Sequence, residues 1–218
     1  MNFTTLTTDM QNYLERGQSA STDPTVFAQI PRLINQAERR IMNLLKLQGE
    51  IEVLVDPAGL VAGVEVVTKP DRWRVTVSMN YGTGAGQNTH TPLFPRSYEY
   101  CRQYWGNGSA TDSNNPPKWY ADYNLNAWLI SPTPDQNYPL EVLCYSQPVL
   151  LDNVNQTNFF TDYIPALLLY GALIEASPFL KNDPRLATWQ TLFDKEASAI
   201  NGADLQKILD RGEVRRTA

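Results

Sequence analysis

Charge is scarce in this chain. Only 19% of its 218 residues are Asp, Glu, Lys or Arg, below the usual quarter. The cations are scattered, so no row of Lys and Arg could neutralise successive phosphates. That excludes tight nucleic-acid binding but not a surface past which DNA slides. The single histidine, His90, lies in a Gly/Asn/Thr stretch without a serine or cysteine at motif spacing, and reads as a solvated loop residue rather than a catalytic base. Cys101 and Cys144 are too few for a disulfide framework and match no zinc pattern, so they read as buried thiols. The N-terminus lacks a basic stretch followed by an apolar core, which predicts no secretory signal and synthesis in a cytoplasm. The main apolar run, Tyr163 to Ala176, is shorter than the roughly 20 residues that cross a bilayer. Gly82-Thr83-Gly84-Ala85-Gly86 resembles a phosphate loop only superficially, because Gln87 stands where G-x-G-x-x-G needs its third glycine. Glu52, Glu65, Glu99 and Glu141 include no pair that the sequence singles out for glycoside hydrolysis. These absences predict a protein that is not an enzyme and carries no cofactor and no metal.

What takes the place of charge is aromatic, hydroxyl, amide and proline: 11 Tyr, 5 Trp, 7 Phe and 15 Pro. Such residues serve protein interfaces and turn-rich β surfaces alike. Helical spacing is clear at the N-terminus. Leu6, Met10 and Leu14 predict a helix over 4–16, and Ile34, Ala37, Ile41 and Leu44 predict another over 31–47, with a short turn at 24–30 ahead of Pro31 and Gly49 beyond its end. Residues 50–158 change character. Strands are predicted at 51–55, 64–67, 73–79, 119–123, 127–130 and 140–145, with a turn at Pro57–Gly59, a flexible loop at 82–91, a short amphipathic helix at 96–105 and a polar loop at 106–117.

The run YIPALLLYGALIEA, 163–176, has almost no polar face, so as a helix it must be covered on every side. Asp183-Pro184 predicts the start of a final helix, loosened at Asn201-Gly202, and Leu205 to Ala218 reads as weakly structured. The expected fold is α+β: a helical bundle from the N- and C-terminal segments, 1–49 and 159–205, with an inserted, mostly antiparallel β region at 50–158 and a C-terminal arm at 206–218.

Five strings then occur in order: AQIPRLINQAERRI (28–41), LFPRSYEYCRQYW (93–105), PPKWYA (116–121), LISPTPDQNYPLEVLCYSQPVLL (129–151) and FFTDYIPALLLYGALIEASPFLKND (159–183). Together they resemble the head-to-tail adaptor, or connector, proteins of short-tailed bacteriophages. The resemblance implies a virion neck protein, assembled in the bacterial host cytoplasm as a homo-oligomeric ring, usually dodecameric. The ring would sit between the portal protein and the tail nozzle or hub, with tail fibres as a further class of partner. DNA would pass its lumen without sequence-specific binding, and no membrane would be involved. The resemblance also implies a portal-binding arm, which on this chain carries Lys207, Ile208, Leu209, Arg211, Val214, Arg215 and Arg216. The alternatives are another neck or tail-completion component, and a glycan-binding tail module built on the Trp/Tyr-rich β region.

Overall fold

A computed structural model describes residues 1–45, 47–82, 90–105, 115–179 and 183–214; for residues 48, 57, 58 and 204–214 it describes the backbone alone. Along the chain come α1 (Phe3–Leu14), α2 (Pro24–Leu44), β1 (Ile51–Leu60), β2 (Val66–Thr68), β3 (Trp73–Gly82), β4 (His90–Pro95), α3 (Tyr98–Tyr104), β5 (Trp119–Asn124), β6 (Ala127–Ser131), β7 (Tyr138–Ser146), α4 (Phe159–Tyr163), α5 (Pro165–Glu175) and α6 (Arg185–Val214). The chain divides into two compact units, Met1–Glu50 with Pro148–Ala218, and Ile51–Gln147.

In the first unit, local chemistry sets the helix starts. Asn2 and Thr5 form a capping box on α1, and the Asp23 carboxylate accepts from the Val26 N–H ahead of α2. Pro31 lies inside α2 rather than opening a new helix. It removes the N–H that would bond to the Phe27 carbonyl, and Phe27 is itself exposed, so water can take that role. The apolar run is divided. Pro165 disfavours helical backbone in the residue before it, and Ile164 sits at φ −135°, ψ 47°, between α4 and α5. Tyr163 falls on the outer side of that break and is 75% exposed. α5 is covered by α1, α2 and α6, with Leu167, Leu168, Ala172 and Leu173 buried. Gly171 lies where α2, α5 and α6 approach: a Cβ there would meet Phe193 at 3.3 Å and Ala37 at 3.4 Å. α6 presents Trp189, Phe193 and Ala197 to this core at four-residue intervals. It continues without a break through Asn201-Gly202 to Val214, so the segment expected to be weakly structured is helical over most of its length.

The second unit is built on a seven-stranded sheet in the order β1-β7-β3-β4-β5-β6-β2. β7 alternates buried and half-buried residues along its whole length, placing Leu140, Val142 and Cys144 against the core beside Met79, Tyr81 and Trp128. β1 runs on through Pro57 and Gly59, where a turn was expected. Its register against β7 shifts between Asp56 and Leu60, and a Cβ on Gly59 would collide with Leu140, so glycine allows the close approach.

The expected fold class is corrected by this architecture. The protein is a mixed α/β structure with a curled sheet and six α-helices among the described residues, not a helical bundle carrying an inserted β region. β4, whose first two residues fall in the expected loop at 82–91 and whose other four carried no expectation, joins the sheet and pairs with β5 in parallel. A parallel pair needs a long crossover, and residues 96–118, which contain α3, supply it.

Candidate functional site

Three of the four carboxylates weighed for catalysis each face a basic side chain. Glu65 accepts from Arg102 at 3.0 Å, Glu52 lies 3.7 Å from Arg72, and Glu141 stands 4.0 Å from the exposed His90. Cys101 and Cys144 are fully buried, and burial pushes both thiols above the ordinary cysteine range, which keeps them protonated and unreactive. Among the described residues no three His, Cys, Asp or Glu side chains gather as a metal site, and no helix is long and apolar enough to cross a membrane. The loop Thr83–Gly86 lies outside the described residues.

The surface is more informative. In the second unit an aromatic cluster is assembled from three elements. Phe94 at the end of β4 lies 5.8 Å from Trp119 on β5, which contacts Tyr100 of α3 at 6.2 Å; Tyr100 in turn packs on Tyr104 at 4.8 Å and Trp105 at 6.0 Å. The Arg96 guanidinium lies over both Trp119 and Tyr100, at 4.6 and 5.5 Å. Phe94 and Tyr104 remain more than half exposed. The amphipathic spacing of 96–105 foreshadows α3, but nothing local connects it to Trp119, because β5 arrives through the parallel pairing. On the same unit, Val53 and Val55 of β1 and Val75 and Val77 of β3 are exposed. Isolated apolar residues on a surface are ordinary; these lie on β1 and β3, the two strands that flank β7, and exposed apolar and aromatic residues gathered on one unit are typical of contact surfaces. In the first unit a shallow depression is lined by Gln36, Arg39, Arg40, Asn43, Leu44 and Glu175, with Arg40 bonded to Glu175 at 2.9 Å.

Of the arm residues singled out by sequence, Lys207, Ile208, Leu209, Arg211 and Val214 lie on the backbone of α6, and Arg215 and Arg216 fall outside the described residues. From Asn201 to Val214 the helix extends about 20 Å along its axis beyond Ile200, the last of its residues packed on the core among those whose side chains are described.

The second unit thus exposes aromatic and aliphatic side chains, and the first a depression lined mostly by polar and charged ones. The chain matches the model of the SU10 adaptor protein family over residues 1–216 and belongs to that family. It is therefore a phage adaptor-type protein, a virion-associated structural component that meets other capsid or tail proteins. No curated protein matches it.

Proposed function

We propose that copies of this chain close into a ring, dodecameric as in the adaptors it resembles, that joins the portal to the tail nozzle or hub of a short-tailed phage and passes the genome through its channel. The observation that carries this reading is the family match across residues 1–216. Physical features support it. A ring subunit buries two different side faces in a heterologous contact that closes by rotation, and the exposed valines and aromatic cluster are suitable material for such contacts. A conduit must not grip its cargo, and the chain has no phosphate-binding stripe. The arm over 206–218 is assigned to the portal. Its cations, Lys207, Arg211, Arg215 and Arg216, and its apolar Ile208, Leu209 and Val214 suit docking in a partner's groove. Electron microscopy of the purified protein mixed with the portal protein of the same virus tests the reading. A ring of this chain beneath the portal is expected; a chain that neither oligomerises nor binds the portal overturns it.

A further inference from the structure

β4 leaves β3 early. It pairs with β3 only from Met79 opposite Leu93 to Gly82 opposite His90, then passes to β5, where Phe94 faces Trp119 and Pro95 faces Tyr120. Two features of the chain cause the departure. Pro95 has no N–H to offer β3, and its neighbours are committed elsewhere: the Phe94 N–H donates to the Lys118 carbonyl at 3.0 Å and the Arg96 N–H to the Tyr120 carbonyl at 2.9 Å. β3 is also irregular here, with register shifts against β7 between Trp73 and Val75 and between Thr76 and Ser78. Such bulges increase local twist and carry a strand away from its neighbour.

The result is a notch of about 500 Å³ walled by two strand edges, Trp73 to Val77 of β3 on one side and Tyr120 to Asp122 of β5 on the other, with Pro95 and Arg96 where β4 crosses. Among the described residues, the ladder partners of Val75, Thr76 and Ser78 lie on β7 alone, and no described strand covers the other edge of this half of β3. An open edge offers backbone donors and acceptors to an incoming strand. The charges indicate what such a strand carries. Asp122 is already paired with the Lys69 ammonium at 2.7 Å. Arg96 meets no carboxylate among the described residues and is held instead by the rings of Trp119 and Tyr100. Arg74 lines the same notch.

We propose that this notch receives an extended, acidic segment of a different polypeptide, whose backbone pairs with the open edge of β3 and whose carboxylate meets Arg96. Main-chain pairing gives such a complex its affinity and alternate side chains give it selectivity; here Val75 and Val77 meet the apolar positions and the arginine selects the acidic ones. A cationic segment meets Arg96 as a like charge. The inference stands apart from the ring and the portal, since it concerns a site within one unit of one chain.

The test uses the full-length protein and two end-capped peptides of about eight residues, one alternating Val and Glu, the other Val and Lys. The Val-Glu peptide is expected to slow amide hydrogen exchange over residues 75–78 and to bind at least about tenfold more tightly than the Val-Lys peptide. Arg96→Glu, a change at an exposed position checked for an unaltered circular dichroism spectrum, should reverse that preference. Absence of binding, equal affinity for the two peptides, protection on β1 instead of β3, or indifference to Arg96→Glu would overturn the proposal.

Discussion

The Glu38 carboxylate on α2 accepts a hydrogen bond from the side-chain amide of Asn158 at 2.5 Å, 120 residues further along the chain. Asn158 is the capping residue of α4, its oxygen accepting from the N–H groups of Phe160 and Thr161. The second oxygen of Glu38 accepts from the Leu151 N–H at 3.2 Å, and the Asn35 amide, with its nitrogen turned inward, reaches both this oxygen and the Leu151 carbonyl at 3.0 Å. A fully buried carboxylate thus ties the segment 149–158 to α2. Three donors converge on it, and among the described residues no cation pairs with it directly.

That arrangement predicts a pH dependence of stability. Burial raises the Glu38 pKa from 4.5 to about 7, against the opposing pull of Asn158, Leu151 and the Arg39 charge. The folded protein therefore retains a proton that the unfolded chain releases at lower pH. This contribution is fully present below pH 4.5 and is lost as pH rises through about 7, so stability should fall between pH 5 and pH 8 by an amount on the order of 3 kcal/mol from this group. Urea denaturation at pH 5, 6.5 and 8 measures it, with Glu38→Gln expected to flatten most of the slope. A slope of the same size in Glu38→Gln would assign the effect to another group.

Lys69 and Asp122 form an ion pair of unequal partners. The lysine side chain is 3% exposed and the aspartate 70%. The ammonium also donates to the Asn124 carbonyl at 3.0 Å and lies 3.7 Å from the centre of the Trp73 ring. Removing the buried partner leaves Asn124 without its donor and a void beside Trp73, so Lys69→Ala should cost about 2–4 kcal/mol. Asp122→Asn keeps an oxygen for the ammonium at an exposed position and should cost about 1 kcal/mol or less. Equal losses in chemical denaturation would mean that the aspartate, not the burial of the lysine, controls this corner of the sheet.

Leu168 is fully buried at the centre of α5. Truncation to Ala should cost about 2–5 kcal/mol. Leu168→Asp would place an ionised carboxylate among Leu, Ala and Phe side chains without a partner, and the variant should not fold. Thermal melts read by circular dichroism distinguish the two, and a cooperative transition for Leu168→Asp close to that of the parent would show that α5 is not sealed as described.

Much of the helical architecture was legible because a helix records its burial at short range. Leu6, Met10 and Leu14, or Ile34, Ala37 and Ile41, repeat within a few residues and need no knowledge of the partner. β7 was legible for the same reason at period two. The break at Ile164 divides a run that reads as one helix from its unbroken apolar composition; the proline that follows it is the local signal of that break. β4 was not legible: HTPLFP carries two prolines and no clean alternation, and it is a strand because β3 and β5 each complete part of it. The parallel pair was hidden as well, since it exists only through a partner more than 20 residues away along the chain. The Arg96–Trp119 contact and the Glu38 latch were hidden for the same reason: each is made by residues that only tertiary structure brings together.

The C-terminal arm gives the prediction that bears most directly on function. The described core contacts of α6 are made by Leu186, Trp189, Phe193, Ala197 and Ile200, all upstream of the arm. Deleting residues 206–218 removes about two turns of helix and the residues beyond, but none of those contacts, so the melting temperature should move by no more than about 2 °C. If the arm docks on the portal, the truncated protein should bind it at least about tenfold more weakly; if the proposed ring closes through other surfaces, self-association should be retained. Charge reversal at Arg211, Arg215 and Arg216 should weaken binding in a salt-dependent way, whereas Ile208→Asp with Leu209→Asp should weaken it at all salt concentrations, because exposed ion pairs are screened and apolar contacts are not. Analytical ultracentrifugation with purified portal reads both properties in one experiment. Unchanged portal affinity in the truncated protein would reassign the portal contact to the surfaces upstream of residue 206.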